Sequence, residues 1–147
     1  MRWNHMPVTD LARSDVVTAT TQTAVTEIAE TMADEAVGCV VITDDETPVG
    51  ILTDRDLTLR CVAEAADPTE LTAQNVMTED LETINRDAGF YDAVNHMSET
   101  GVRRLPVVDD NETLVGILTT DDLTELLADE QQELAEVIRA QRPPYET

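Results

Sequence analysis

Val49-Gly50-Ile51-Leu52-Thr53-Asp54-Arg55-Asp56-Leu57-Thr58 returns as Val115-Gly116-Ile117-Leu118-Thr119-Thr120-Asp121-Asp122-Leu123-Thr124, a shift of 115 − 49 = 66 residues. Upstream, Val41-Ile42-Thr43-Asp44 matches Val107-Val108-Asp109-Asp110 at the same shift. Further back the shift falls to 65: Val16 meets Leu81, Thr18 meets Thr83, Val25 meets Phe90 and Met32 meets Met97. This alignment places one gained residue near Gly101. A shared order broken by a single small insertion marks a duplicated unit of about 60 residues.

Both copies carry the same sequence of periodicities. An apolar-polar lead-in (8–12 and 73–77) precedes a short strand, expected at 16–18 and 81–84. Val25, Ile28, Ala29 and Met32 recur three and four apart and predict a helix, and Phe90, Ala93, Val94 and Met97 repeat that stripe. Strands follow at 39–42 and 49–52 around the polar Thr43-Asp44-Asp45-Glu46, matched by 105–108 and 115–118 around Asp109-Asp110-Asn111-Glu112. A helix starts after Thr53 and after Thr119. The order β-α-β-β-α, twice, predicts an α+β protein of tandem repeats whose two small sheets pack together. A unit of about 60 residues buries too little surface to stand comfortably alone. The repeats are expected at 8–66 and 72–128, with Ala66-Asp67-Pro68-Thr69-Glu70 as linker and a C-terminal helical extension and tail at 129–147. Leu123, Leu126, Leu127, Leu134, Val137 and Ile138 continue a helical stripe towards Arg139, and Pro143 and Pro144 end it. That helix reads as a cover for the core or as part of a subunit contact.

Composition narrows the function. The 147 residues hold 31 acidic and nine basic side chains, a formal charge of −22, and every basic residue is Arg. Such a surface suits concentrated salt, where repulsion between carboxylates is screened over roughly 3 Å at 1 M. A pI near 4.1 without a basic run excludes a duplex-binding surface. Trp3, Phe90, Tyr91 and Tyr145, the four aromatic residues, supply no stacking platform for single strands. No apolar stretch approaches the roughly 18 residues of a membrane span. Without a charged-then-apolar signal layout, a cytoplasmic location is expected. Cys39 and Cys61 read as small buried hydrophobes.

The G-h-x-T-x-x-D element occurs at Gly50/Thr53/Asp56 and at Gly116/Thr119/Asp122. Thr before a helix with Asp three residues later is a capping box, each side chain satisfying a free backbone N–H. The same residues also suit a ligand. Glycine lets it approach the strand, the helix start favours an anion, and Asp accepts hydrogen bonds from both hydroxyls of a ribose. Other candidates are weaker. His5 and His96 lack metal-ligand spacing. No nucleophile-base constellation can be assembled, and without Lys there is neither a Schiff base nor a P-loop. Catalysis is therefore not expected. Asp44-Asp45 and Asp109-Asp110 fall in turns, Asp129, Glu130 and Glu133 form a solvated helix face, and Arg13, Arg60 and Arg139 read as surface ion-pair partners worth little each.

The duplicated order, the strand Leu105-Pro106-Val107-Val108-Asp109, the two G-I-L-T-x-x-D elements and the lead-in Val76-Met77-Thr78 resemble a tandem pair of cystathionine-β-synthase-type (CBS) domains, from about Val8 to Leu127. The resemblance implies two clefts between the repeats for adenosine-containing ligands (AMP, ADP, ATP, NAD or S-adenosylmethionine), no required cofactor, a regulatory role towards an effector protein, and a homodimer. It implies one cleft joining Thr53, Arg55 and Asp56 to Ile84, Arg103 and Arg104. The other joins Thr119 and Asp122 to Thr18, Ala19, Gly38 and Cys39. On this composition the first cleft gathers three Arg and is expected to accept phosphate. The second, with Asp121 in place of Arg55 and Gly38-Cys39 in place of Arg104-Leu105, is expected to stay empty or to hold a ligand of little negative charge. Val40 stands where the second repeat has Pro106, a departure from the family pattern. The leading expectation is a non-catalytic sensor of an adenosine nucleotide. The alternative is an interaction or dimerisation module with vestigial clefts.

Overall fold

The computed structural model describes residues 6–141, so Trp3, His5, Pro143, Pro144 and Tyr145 lie outside the described residues. The first repeat runs α1 (Val8–Leu11), β1 (Thr18–Thr20), α2 (Val25–Glu35), β2 (Cys39–Asp44), β3 (Thr47–Thr53) and α3 (Asp54–Leu57), which loosens into a π-helical turn at Thr58–Val62. A 3-10 turn (Pro68–Glu70) leads to α4 (Ala73–Val76), β4 (Ile84–Asn85), α5 (Phe90–Thr100), β5 (Arg104–Val108), β6 (Leu114–Thr119) and α6 (Thr120–Gln141). Two three-stranded sheets result, ordered β1-β2-β3 and β4-β5-β6. In each, the first strand is parallel to the second and the second antiparallel to the third. The α+β repeat architecture is as the periodicity predicts.

Three local expectations change. The first strands start later than expected, at Thr18 and Ile84, because pairing begins only where β1 meets β2 at Thr18↔Val41 and β4 meets β5 at Ile84↔Val107. Val25, Ile28 and Met32 are buried on α2, and Phe90, Ala93 and Met97 on α5. Ala29 and Val94, at the edge of each stripe, are exposed. The inserted residue does not lie near Gly101. Strand register pairs Ile42 with Gly50 and Val107 with Gly116, so β2 overlays β5 at 107 − 42 = 65 while β3 overlays β6 at 116 − 50 = 66. The insertion is in the second hairpin loop. The first hairpin turns through Asp45 and Glu46 alone, both at positive φ (50° and 68°), as a tight two-residue turn between twisted strands requires. The second turns through five residues, with Oδ1 of Asp109 accepting from the backbone N–H groups of Asn111 and Thr113 and with Glu112 at φ 63°. Pro106 therefore corresponds to Val41, not Val40, and Gly38-Cys39 to Arg103-Arg104, not Arg104-Leu105.

The lead-ins are exchanged between the repeats. Val8 and Thr9 donate their N–H groups to Ala88 and Arg86 of the second repeat, at 2.7 and 3.1 Å. Ala73 and Gln74 donate to Thr23 and Thr21 of the first, at 2.9 and 3.0 Å. One core accordingly joins Val25, Ile28, Met32, Val40, Ile42 and Leu52 to Ala73 and Val76. The other joins Phe90, Ala93, Met97, Leu105, Val107 and Leu118 to Val8. Fully burying a side chain such as Val8 contributes about 1.5–3 kcal/mol, so each core is completed by the other half of the chain. The sequence repeat at 8–66 is thus not one packing unit. Beyond the lead-ins the backbone is stitched across at Arg13↔Ile117 and Ile51↔Thr78.

That stitching accounts for the glycines of the repeated motif. A Cβ on Gly116 would stand 2.8 Å from the carbonyl oxygen of Arg13, and one on Gly50 would stand 2.5 Å from Sδ of Met77 and 3.1 Å from the carbonyl oxygen of Thr78. The glycines make room for the exchanged segment. The last helix also departs from expectation. α6 is one continuous element spanning the end of the second repeat and the extension. Leu123 is buried, but Leu134, Val137 and Ile138 are 44%, 53% and 53% exposed, so among the described residues its far half covers neither core.

Candidate functional site

Two cavities lie where the exchanged segments meet the strand ends. The first cleft, about 220 Å³, is lined by Thr53 with Ile51, by Thr78, Asp80, Leu81 and Glu82, and by Val102, Arg103 and Arg104. The second, about 320 Å³, is lined by Thr119, Asp121 and Asp122 with Ile117, by Arg13, Asp15, Val16 and Val17, and by Gly38, Cys39 and Arg104. Each therefore takes a Thr at a helix start from one repeat and a strand approach from the other.

Of the residues expected in the first cleft, Thr53, Arg103 and Arg104 line it. Asp56 stands directly behind Thr53, Arg55 is exposed outside the cleft, and Ile84 is buried in the second core. Of those expected in the second, Thr119, Asp122, Gly38 and Cys39 line it. Thr18 and Ala19 do not: Thr18 is exposed and Ala19 packs on the first core. β1 and β4 start two and three residues later than expected, so the wall is formed upstream of them by Val16 and Val17 and, in the other cleft, by Leu81 and Glu82. Arg13, which sequence reasoning left on the surface, is the main omission.

The two Thr-Asp pairs differ in detail. In the first repeat the capping box is complete: the Asp56 N–H donates to Oγ1 of Thr53 at 3.2 Å, and the Thr53 N–H donates to Oδ2 of Asp56 at 3.0 Å. Oδ1 of Asp56 lies 3.7 Å from Arg60, whose guanidinium also donates to the Val76 carbonyl at 2.8 Å and to Oγ1 of Thr78 at 3.2 Å. Arg60 is thus a tie to the exchanged segment, not a loose surface charge. In the second repeat the Asp122 N–H donates to Oγ1 of Thr119 at 3.1 Å, but the carboxylate does not return the bond. Oδ1 of Asp122 accepts from Nε of Arg13 at 3.0 Å, with NH2 of Arg13 at 2.9 Å. Oδ2 is buried and has no hydrogen-bond partner among the described residues. Hydrogen bonding to Asp122, then its charge, holds the Arg13 guanidinium still more firmly protonated than usual.

Charge does not divide between the clefts as the composition suggested. Arg104 lines both. The first cleft sets Arg103 and Arg104 against Asp80 and Glu82, and the second sets Arg13 and Arg104 against Asp15, Asp121 and Asp122. Arg103 pairs only loosely, 3.9 Å from the exposed Asp121. Cys39 holds in the first repeat the place of Arg104 in the second. Burial pushes its thiol up to about 11, with Arg104 pulling the other way and Asp56 and Asp54 adding to the rise. His96 sits 3.0 Å from Glu82 at the rim of the first cleft. Among the described residues no three His, Cys, Asp or Glu side chains cluster to hold a metal, and no helix is long and apolar enough to cross a membrane.

Two apolar grooves lie on the helical faces. One, of about 460 Å³, runs between α5 and α6 along Phe90, Val94, Met97, Leu123 and Leu127. Its counterpart of about 340 Å³ is formed by Val25, Ala29, Leu57, Cys61, Val62 and Pro68.

Against known proteins, the CBS domain matches twice, over residues 8–62 and 73–129. An uncharacterized protein of Methanopyrus kandleri is 40% identical over 121 residues, 81% of this chain. The chain spans 61% of the length of that relative and 40% of a similar uncharacterized protein of Methanocaldococcus jannaschii. A CBS domain pair solved in complex with 5′-methylthioadenosine and S-adenosyl-L-methionine superposes with a TM-score of 0.74 at 25% identity, covering 85% of this chain and 98% of the other. A CBS domain protein from Pyrobaculum aerophilum complexed with AMP gives a TM-score of 0.71 at 26% identity, covering 80% and 90%.

Proposed function

The chain belongs to the CBS-domain family and carries a tandem pair, and from that premise we propose that it is a non-catalytic regulatory module binding an adenosine-containing ligand between its repeats. The observation that carries the reading is the make-up of the clefts. Each joins a Thr at a helix start from one repeat to the strand approach of the other, so an occupant bridges both halves. Two similar pairs hold AMP, or methylthioadenosine and S-adenosylmethionine. Thr53, Arg103 and Arg104 would meet the ligand in the first cleft, with Asp56 behind Thr53. Thr119, Asp122, Gly38 and Cys39 would do so in the second. Both clefts have an Arg pair for phosphate, so charge alone selects neither.

Regulation requires that the ligand favour one relative placement of the repeats, because a ligand shifts an equilibrium only through differential affinity. The apolar grooves on the helical faces support a homodimer as the element that reads this placement, and an effector protein as its target. The Lys-free, acidic composition supports a salt-adapted origin, so assays belong in high-salt buffer. The test is a thermal-shift series with AMP, ADP, ATP, NAD and S-adenosylmethionine. A ligand at about 100 times its Kd is expected to add about 2.7 kcal/mol of stability. No shift with any of the five, in folded and ligand-free protein, moves the reading to an interaction module with vestigial clefts.

A further inference from the structure

The second cleft contains a carboxylate already held by a guanidinium from the exchanged lead-in. Arg13 places Nε 3.0 Å and NH2 2.9 Å from Oδ1 of Asp122. The arrangement is lopsided. The Asp122 side chain is 11% exposed whereas that of Arg13 is 64% exposed. Oδ2 of Asp122, shut off from solvent, receives no hydrogen bond from the described residues. A buried carboxylate oxygen without a donor is costly, and a ribose, with two neighbouring hydroxyls, would supply a donor to Oδ2 and claim Oδ1, the oxygen that Arg13 holds. The main chain of Arg13 is fixed by its paired bonds to Ile117, both 2.9 Å, so its guanidinium can swing while its Cα stays in place.

Resting on the adenosine-ligand reading above, we propose that Arg13 is the selecting residue of the second cleft. It guards the Asp122 carboxylate and passes to the phosphate of an incoming ligand, so that the cleft prefers a phosphorylated ribonucleoside to a neutral one. A neutral nucleoside that claims Asp122 strips Arg13 of its partner and gives nothing back. A phosphate accepts the released guanidinium in charge-assisted, paired hydrogen bonds. Without Arg13 the same wall would present Asp15, Asp121 and Asp122 to the phosphate against Arg104 alone. The first cleft has no such device. Its counterpart of Arg13 is Thr78 (13 + 65), and Asp56 is engaged by the Thr53 N–H and Arg60.

The experiment is calorimetric titration of the full chain with AMP and with adenosine, in high salt, for wild type, Arg13→Thr, Arg13→Lys and Asp122→Asn. The heat that Asp122→Asn removes reports the second cleft. Wild type is expected to prefer AMP there by at least about tenfold, equivalent to about 1.4 kcal/mol. Arg13→Thr should weaken AMP about tenfold while adenosine binds as well as before or better, and Arg13→Lys should fall between. Opposite movement of the two ligands is the decisive sign, since a fold defect weakens both, and unchanged melting curves check that the variants are folded. An AMP-to-adenosine ratio unmoved by Arg13→Thr overturns the proposal. AMP binding that Asp122→Asn leaves intact also overturns it but spares the adenosine-ligand reading. Absence of binding by either ligand in every variant removes both.

Discussion

Asp56 and Asp122 occupy equivalent places at the ends of β3 and β6, three residues after a Thr that caps the helix start. Asp56 spends one oxygen on the Thr53 N–H, which closes a capping box. Asp122 makes no such return and faces Arg13 across the second cleft. The motif residues are identical, so the motif does not decide the outcome. What decides it is the surroundings: the opposite repeat presents Thr78 to one site and Arg13 to the other, and Arg60, whose counterpart in the second repeat is Leu126, holds Asp56 from its own repeat. Exchange of the lead-ins thus does two jobs: it completes both cores and helps to differentiate two copies that share the Gly, Thr and Asp of the motif.

The most disruptive way to probe that arrangement is to crowd the stitches. Gly116→Ala sets a methyl 2.8 Å from a backbone oxygen that is itself held in the bridge to Ile117, so either the bridge or the strand must give. A loss of about 3 kcal/mol is expected in denaturant melts, the upper end of ordinary overpacking. Gly50→Ala meets mainly the thioether of Met77, a flexible side chain, and should cost about 1 kcal/mol, most of it recovered in the double variant with Met77→Ala. Equal losses at the two glycines would mean that the stitches are interchangeable.

A second comparison asks which core each lead-in serves. Val8 is fully buried among second-repeat residues. Val8→Ala should cost about 2 kcal/mol, between the usual values for losing one methyl and for truncating a larger side chain. Native-state hydrogen exchange should show the loss first in β5 and β6. Earlier loss in β2 and β3 would return Val8 to its own repeat and break the exchange.

Sequence periodicity carried the repeat and most of the core, because Val25, Ile28 and Met32 and their counterparts face inward for a reason internal to each helix. It could not carry the exchange. Residues 8–12 and 73–77 resemble each other at a shift of 65, so either lead-in fits either core by hydrophobicity alone. Nor could it place the inserted residue. Val107-Val108 and Asp109-Asp110 are doublets that tolerate a one-residue slip, which lets the gap slide from the loop back to Gly101 until strand register fixes it. At the clefts the Thr-Asp pairs were legible from capping chemistry. Val16, Val17, Leu81 and Glu82 were missed because a two- or three-residue strand has too short a period to fix its ends. Arg13 was missed because its partner lies 122 − 13 = 109 residues away.

A smaller effect separates the two aspartates themselves. Asp56→Ala removes one half of a complete capping box and should lower ligand-free stability by about 1 kcal/mol. Asp122→Ala removes an ion pair in which Arg13 is largely exposed, together with a carboxylate oxygen that has no partner. Its loss should be about half as large or less. Thermal melts of the two variants side by side check the order, and the reverse order would make the Arg13–Asp122 pair a structural tie.

The smallest difference is between Cys39 and Arg104, the same position in the two repeats. Burial raises the Cys39 thiol to about 11, whereas an unfolded thiol titrates near 8.5. As the pH rises from about 8.5 towards 11, the unfolded chain gives up this proton while the folded chain keeps it. The folded state then binds more protons than the unfolded one, so stability falls with pH across that window. At about pH 9 the expected loss is below about 1 kcal/mol. Cys39→Ala should flatten this part of the stability curve, measured under reducing conditions, by removing the group responsible. Arg104→Ala should act the other way, since Arg104 is the charge that opposes the rise, and should make Cys39 slower to alkylate. A thiol that reacts equally fast with and without Arg104 would separate the two positions and leave Arg104 to the clefts alone.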